Sequence, residues 1–197
     1  MARITVNETG TQPTILISTT IGDAANVANG NFESAAANTL SVGCLQDVTI
    51  TASTGVFSWT DFCSIDTNKL PTPADNEIST NIVIDNEKYF GNAGASSGSA
   101  VNAGVASLSQ NKTEVQFLIV WNSTGSTSAT ANIGNLITDS VRQSFANTAN
   151  VNVYWTSGVG YITNLAPTVS PDAPVWVSPM TIAVNGTMYN GSEVDAT

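Results

Sequence analysis

Short segments in which apolar and polar residues alternate recur along this chain, and they constrain its fold more than any other feature. In 47–53, Val48, Ile50 and Ala52 fall on one side and the intervening residues are polar. In 77–85, Ile78, Ile82 and Ile84 are in phase. A period of two is typical of a strand with one buried face, so the sequence predicts a mainly β, antiparallel fold.

The remaining segments are assigned by the same pattern and by turn residues. Two prolines predict a loop over 67–76, and glycines predict turns at Gly55 and at Ser157-Gly158. Asn185-Gly186 is expected at a reversal or at the edge of the last strand pair. Gly-, Ala- and Asn-rich stretches predict loops over 22–38 and 91–107. We expect strands over 13–19, 47–53, 56–66, 77–85, 113–121, 150–156 and 159–165, and as a last pair within 175–190.

One segment has a helical period instead. Apolar residues at helical spacing predict a single amphipathic helix over about 131–146, with its stripe formed by Ile133, Leu136, Ile137, Val141 and Phe145. A helix of this length is marginal in water, so its stripe must lie on a sheet. The predicted architecture is an antiparallel β-sandwich or rolled sheet with one flanking helix and long loops.

The amino-acid composition restricts the kinds of partner that this chain is expected to bind. The 197 residues suit one β domain (1–197), with an N-terminal arm at 1–12 and a C-terminal tail at 190–197. Only 10% of the residues are charged, so the surface is polar but inexpensive to desolvate, which favours burial against copies of the same chain. The net charge of −10 and five scattered Lys and Arg residues exclude a basic patch for nucleic acid, while they allow a surface that repels a polyanion.

The sequence holds no catalytic or metal-binding signature. Histidine is absent, which removes the His-dependent nucleophilic sites and His-bearing zinc sites. The segment 66–77 resembles a calcium loop at three positions, but Pro71 replaces the glycine needed for its sharp turn. Cys44 and Cys63 are expected to be free, buried thiols, and we expect no enzyme activity and no cofactor. Without a signal-peptide pattern or a membrane-spanning apolar run, a soluble protein made in a cytoplasm and not inserted in a membrane is expected.

The order of elements resembles the major tail tube proteins of long-tailed, siphovirus-like bacteriophages. It runs as apolar strand (113–121), helix (133–146), strand (150–156), turn, strand (159–165) and the Pro-spaced VSPDAPVWVSPMTIAVNGTM. Upstream, FSWTDFCSID leads through a loop to EISTNIVIDNEKYFG, which is similar to the stretch of that family before its long flexible loop. The resemblance covers about 45–190, and the segment 22–38 departs from it.

The resemblance implies a structural virion protein that is assembled in the host cytoplasm. Copies of it would form hexameric rings that stack into a tail tube, through which genomic double-stranded DNA passes on ejection without sticking. Implied protein partners are the tape measure protein, the tail terminator and distal tail or baseplate proteins.

The same resemblance suggests roles for charged residues. The acids expected on strands and facing the channel are Asp47, Asp61, Glu77, Asp85 and Glu114. Contacts between subunits are expected from the arm, from the loops 67–76 and 91–107, from the tail, and from the charged residues Arg3, Lys69, Lys88, Asp139 and Arg142.

Two other classes remain open. A capsid decoration or head-to-tail joining protein would form trimers or a single ring. A carbohydrate-binding or adhesive β-module would stay monomeric and expose aromatic residues, for which Trp121, Trp155, Trp176 and Tyr189 are available. Those four lie mostly in apolar runs, so we expect them in the core.

Overall fold

A single antiparallel sheet organises the described part of the chain. The computed structural model describes residues 13–30, 32, 38–43, 45–59, 67–94, 97–124, 152–170 and 175–193. Its strands are β1 (Thr14–Ser18), β2 (Leu40–Val42), β3 (Val48–Trp59), β4 (Asn68–Val83), β5 (Glu114–Thr124), β6 (Asn152–Thr163), β7 (Val177–Val184) and β8 (Tyr189–Glu193). They lie in the order β2-β1-β5-β6-β7-β4-β3, and β8 also pairs with β6. The mainly β, antiparallel prediction is confirmed.

Strand β6 is paired along both of its edges. On one side it pairs with β5, from Glu114 opposite Tyr161 onward. On the other side β7 pairs with the C-terminal part of β6 and β8 with its N-terminal part. β7 and β8 therefore follow one another along β6, which makes β6 a central strand.

Alternation along the strands divides the apolar residues between two faces of the sheet. The larger core includes Ile15, Phe117 and Ile182, each 0% exposed, on one face. A smaller cluster of Leu16, Leu118, Val120 and Trp155 lies on the other face, with Phe32 and Tyr189 against it. Apolar residues at consecutive positions of β1 and β5 thus bury both faces of the sheet centre, as expected for strands with continuous apolar runs.

Within the described residues, three short helices cover parts of the sheet: α1 (Ala24–Ala28), α2 (Asn86–Phe90) and α3 (Ala100–Gln110). Each begins after a residue whose side chain accepts a backbone N–H, namely Asp23, Asp85 and Ser99. Tyr89 of α2 and Val105 and Leu108 of α3 belong to the larger core, so α2 and α3 close that face.

The predicted loops at 22–38 and 91–107 are wrong in part, because they contain α1 and the start of α3. Both stretches are rich in alanine, a strong helix former, and both carry a capping residue. Gly104, within the second predicted loop, has φ of 64° and forms a kink inside α3. The predicted helix at 131–146 and the N-terminal arm lie outside the described residues, as do Cys44 and Cys63.

The predicted turn at Gly55 and loop at 67–76 are also wrong. Gly55 lies inside β3, where the register shifts between Thr54 and Val56, so it forms an irregularity rather than a hairpin. The segment 68–76 is the first half of β4, and Pro71 pairs with Val56. Proline is tolerated here because this part of β4 has only one neighbouring strand among the described residues.

The predicted turn at Ser157-Gly158 is wrong, because both residues lie inside the continuous strand β6. Asn185-Gly186, expected at a reversal or an edge, lies between β7 and β8. A Cβ on Gly158 would lie 2.8 Å from Cζ of Phe117, and one on Gly160 would lie 2.4 Å from the carbonyl oxygen of Ala183. These glycines therefore allow close packing within β6 instead of a reversal. Asn185-Gly186 separates β7 from β8 without reversing the chain, since both strands pair with β6.

Candidate functional site: a projecting ribbon and a polar sheet face

The hairpin of β3 and β4 extends beyond the rest of the sheet. β4 pairs with β7 only from Glu77 to Val83, whereas it pairs with β3 along almost its whole length. Residues 52–59 and 68–76 therefore form a two-stranded segment, called here the ribbon. At about 3.3 Å per residue its strands are roughly 30 Å long. Almost every side chain of the ribbon is exposed.

The outer part of the ribbon carries large apolar side chains. Phe57 is 59% exposed and Leu70 is 57% exposed, and these two residues lie opposite one another. Trp59, two residues from Phe57 and so on the same face, has its ring stacked on that of Phe57 at a centroid distance of 5.8 Å. Val56, opposite Pro71, presents apolar surface on the other face.

An exposed ribbon that is apolar on both faces is unusual for a soluble protein. Natural edge strands are normally short, charged or covered, because an open apolar edge pairs with other chains. The only charged side chain among 54–59 and 68–74 is Lys69. The ribbon therefore has the chemistry of a surface that becomes buried against a partner.

A second surface lies on the sheet where β3, β4, β7, β6 and β5 run side by side. Register places Glu77 between Thr51 and Ala183, Ala183 opposite Tyr161, and Tyr161 opposite Glu114. These side chains point away from the larger core, because they alternate with buried residues of the same strands. The polar face is defined by Asp47, Thr49, Thr51, Glu77, Ser79, Asn81, Glu114, Tyr161, Thr163 and Thr181.

Three carboxylates of the polar face are held by neutral donors. Asp47 accepts the backbone N–H of Asn81 at 2.8 Å and its side-chain amide as well. Glu77 accepts the hydroxyl of Ser79 at 3.0 Å. Glu114 accepts the amide of Asn185 at 2.7 Å. The residues of the polar face include no Lys or Arg, so its negative charge is not neutralised from within the face.

Tyr161 reports the electrostatics of this face. Desolvation by burial raises the pKa of its phenol above the ordinary value of 10.0, and a hydrogen bond to Glu114 and the negative charge of that residue raise it further. All three effects disfavour the phenolate.

The predicted channel-facing acids separate into two groups in the structure. Asp47, Glu77 and Glu114 share the polar face. Asp85 instead caps α2, where its carboxylate accepts the backbone N–H of Glu87 at 2.8 Å. Asp61 lies outside the described residues.

Of the charged residues predicted to contact other subunits, Lys69 lies on the ribbon and Lys88 on α2. Arg3, Asp139 and Arg142 lie outside the described residues. The sequence predicted a strand over 56–66 but did not reveal that its apolar side chains Phe57 and Trp59 are exposed on the ribbon. The two prolines at 71 and 73 were the available signal, because proline inside a strand indicates that one edge of the strand has no neighbour.

The aromatic residues of the carbohydrate-binding alternative are mostly internal. Trp155 is buried, and Trp121 and Tyr189 are partly buried against the two cores. Trp176 is 48% exposed, so its assignment to the core was wrong. Its backbone is nevertheless fixed, since its carbonyl oxygen accepts the N–H of Ile84 at 2.9 Å.

Two exposed valines lie near Trp176. Val175 is its chain neighbour, and Val169 directly follows Thr168, which is bridged to Val177. Val169, Val175 and Trp176 are called here the terminal patch, because they lie beside the C-terminal end of β4. The ribbon lies at the N-terminal end of the same strand.

The described residues contain no group of three or more Cys, Asp and Glu side chains placed to hold a metal ion. Within the same residues, no helix has the length and apolar character to cross a membrane.

No protein-family model matches this chain, and no curated protein matches it. Among solved structures it is similar to the sheath/tube terminator of PVC, an extracellular contractile injection system, in the extended state. The TM-score is 0.43 and the sequence identity 10%, over 98% of this chain and 99% of that chain.

Proposed function

We propose that this protein is a structural, non-catalytic subunit that assembles with copies of itself into a bacteriophage tail tube. Stacked hexameric rings would form the tube, and the polar face would line a channel for DNA. The observation that carries the proposal is the ribbon, whose outer part exposes Val56, Phe57, Trp59 and Leu70.

Burial of the ribbon against another copy supplies a driving force for assembly. Complete burial of a large apolar side chain contributes about 1.5–3 kcal/mol relative to exposure. Because these four side chains are already about half covered, their further burial contributes about 1 kcal/mol each. In addition, β3 has no strand partner on its outer edge among the described residues, so backbone groups are available for pairing between subunits.

The polar face supports the channel part of the proposal. A wall that carries carboxylates and hydroxyls, without lysine or arginine, repels phosphate and offers it no ion pair. In a ring, every copy would contribute Asp47, Glu77 and Glu114 to this wall. Since DNA binding depends on neutralised phosphates, such a wall lets a polyanion pass without retention.

The wider assembly follows from the same proposal. A tube of this kind would be a component of the virion tail and would meet a tape measure protein inside, a terminator at one end and distal tail or baseplate proteins at the other.

Negative-stain electron microscopy of the purified protein tests the proposal, with sedimentation velocity over a range of concentrations. We expect rings or tubes that appear as concentration rises, and a matched Phe57→Ser variant that stays dispersed while its circular dichroism is unchanged. A monodisperse monomer at high concentration would contradict self-assembly. Trimers or single rings without stacking would favour a capsid decoration or joining protein instead.

A further inference from the structure

We propose that Asn185 is a site of spontaneous covalent modification, at which its side-chain amide is converted to a carboxylate, and that Glu114 restrains this reaction. The inference is independent of the proposed function, because it concerns the chemistry of one dipeptide and its neighbour on β5. It gives a role to Asn185-Gly186, the break between β7 and β8.

Asparagine followed by glycine is the dipeptide most prone to deamidation, because no side chain shields the nitrogen of the glycine. That nitrogen attacks the side-chain carbon Cγ of the asparagine. A bond forms between the nitrogen and Cγ, the bond from Cγ to Nδ2 breaks, and Nδ2 leaves as ammonia with the proton that the glycine nitrogen gives up. Water then opens the succinimide ring at either of its carbonyl groups, which yields aspartate or isoaspartate.

The chain contains three such dipeptides, and they provide a matched comparison within one molecule. They are Asn29-Gly30, Asn185-Gly186 and Asn190-Gly191. The residue types are the same in each, so differences in their reactivity come from the fold. A reactive pair must leave the N–H of the glycine available and must allow the asparagine side chain to turn toward it.

The fold protects Asn29-Gly30 at the end of α1. The N–H of Gly30 donates to the carbonyl oxygen of Val27 at 3.1 Å, so the attacking nitrogen is occupied. The backbone is also packed on the sheet, because a Cβ on Gly30 would lie 3.1 Å from Cδ1 of Leu118 and 3.3 Å from Cε3 of Trp155. This pair cannot rearrange without local opening of the structure.

The fold protects Asn190-Gly191 within β8. These residues are paired with Thr156 and Trp155 of β6. The hydroxyl of Thr156 donates to Oδ1 of Asn190 at 2.6 Å, and the ring of Trp155 packs directly on Gly191. An extended, paired strand holds the side chain away from the next backbone nitrogen, so this pair also needs local opening.

Asn185-Gly186 differs from both. Its two residues are exposed and lie outside the strands. Gly186 has φ of 91°, and a Cβ on it would meet nothing within 4 Å, so the space around its backbone is open. Within the described part of the chain, the N–H of Gly186 donates to no acceptor. The attacking nitrogen is therefore available in the folded state.

Glu114 holds the other reactant. Nδ2 of Asn185 donates to Oε1 of Glu114 at 2.7 Å, and this bond must break before Cγ can turn toward Gly186. The carboxylate also disfavours the negative charge that develops when the glycine nitrogen loses its proton. Because an exposed hydrogen bond has a modest net strength, Glu114 slows the reaction without preventing it.

The modification changes the polar face. Aspartate and isoaspartate both place a carboxylate where the amide of Asn185 donates to Glu114. Two carboxylates at this distance repel each other and have no proton to share. The polar face therefore gains negative charge and loses the hydrogen bond that joins the connection between β7 and β8 to β5.

Peptide mapping of the purified protein tests the site. The protein is kept for weeks at mildly alkaline pH, either folded or unfolded in guanidinium chloride. Chymotrypsin cleaves after Phe32, Trp176 and Tyr189, so each of the three asparagines lies in its own peptide, and mass spectrometry measures its deamidated fraction. We expect similar rates in the unfolded chain. In the folded protein we expect Asn185 to react at least about tenfold faster than Asn29 and Asn190, because those two require local opening.

Substitutions of Glu114 test the restraint. Glu114→Ala removes both the acceptor and the charge, and it should accelerate the reaction at Asn185 about fivefold, as the loss of one hydrogen bond of typical net strength predicts. Glu114→Gln keeps an acceptor without the charge and should give a smaller increase. The rates at Asn29 and Asn190 in the same samples should not change, since they report whether each variant keeps its fold.

The outcomes separate the two parts of the inference. Equal rates at the three sites of the folded protein, or a faster reaction at Asn29 or Asn190, would overturn Asn185 as the modification site. An unchanged rate at Asn185 in Glu114→Ala would overturn the restraint and leave the site standing. Acceleration at all three sites would show that Glu114 acts through the stability of the whole fold and would also overturn a local restraint.

Discussion

The sheet centre and the ribbon are built from similar residues but differ completely in burial. In the centre, Phe117 and Ile119 of β5 are 0% exposed, because β1 and β6 flank the strand and both sheet faces are covered. In the ribbon, Phe57 is 59% exposed, because β3 has β4 as its one neighbour among the described residues. The difference teaches that the number of neighbouring strands, rather than residue type, decides whether an apolar strand stabilises this fold or remains available to a partner.

The largest expected effect comes from comparing two phenylalanines, one in the sheet centre and one in the ribbon. Phe117→Ala should lower the free energy of unfolding by about 3–5 kcal/mol, because it removes a buried ring and leaves a cavity. Phe57→Ala, the matched control on the ribbon, should change it by less than about 0.5 kcal/mol in the monomer. Urea denaturation followed by circular dichroism, at a concentration where the protein is monomeric, measures both. Similar losses for the two variants would show that the ribbon belongs to the core of the monomer.

A smaller effect is expected where α2 and α3 cover the sheet centre. Gly104 has φ of 64°, and a Cβ there would lie 2.4 Å from the backbone nitrogen of Gly91. Gly104→Ala should therefore destabilise the fold by more than about 1 kcal/mol, through both backbone strain and the clash.

Gly186→Ala is the control for that substitution. Gly186 also has a positive φ, 91°, but a Cβ there would meet nothing within 4 Å, so this variant carries the strain alone. Thermal unfolding of both variants separates the two contributions. An equal shift for both would mean that the helices are not held in contact at Gly104, and the covered and uncovered parts of the sheet would then differ less than proposed.

The sheet centre was largely predictable from the sequence. Dense apolar runs identified β1 and β5, because strands in the centre of a sheet are buried on both faces. The phase of Ile78 and Ile82 identified the buried side of β4. The opposite phase of Glu77 was visible in the same pattern. The sequence did not show that Asp47, Glu77 and Glu114 share one face, because this arrangement depends on the register of five strands.

The ribbon was not predictable in the same way. Phe57 and Trp59 alternate with polar residues like the residues of a core strand, and a period of two does not tell whether a second sheet layer covers them. Gly55 and Pro71 were interpreted as breaks, although a strand with one neighbour tolerates both. A long hairpin that leaves its sheet is a tertiary feature, set by where β7 stops pairing with β4.

The smallest expected effect concerns the polar face, which belongs neither to the buried core nor to the ribbon. Burial, the hydrogen bond to Glu114 and its charge raise the pKa of Tyr161 above 10.0, so the folded state keeps its proton to higher pH than the unfolded state does. Above pH 10.0 the unfolded state therefore binds fewer protons, and this residue makes stability fall as pH rises until the folded pKa is passed.

Glu114→Gln should lower the pKa of Tyr161 and weaken this pH dependence, because the amide carries no charge. Absorbance titration at alkaline pH measures the shift, with Tyr161→Phe as the control that assigns the signal. An unchanged pKa in Glu114→Gln would show that burial alone sets it and that the carboxylates of the polar face act on their surroundings less than a channel wall requires.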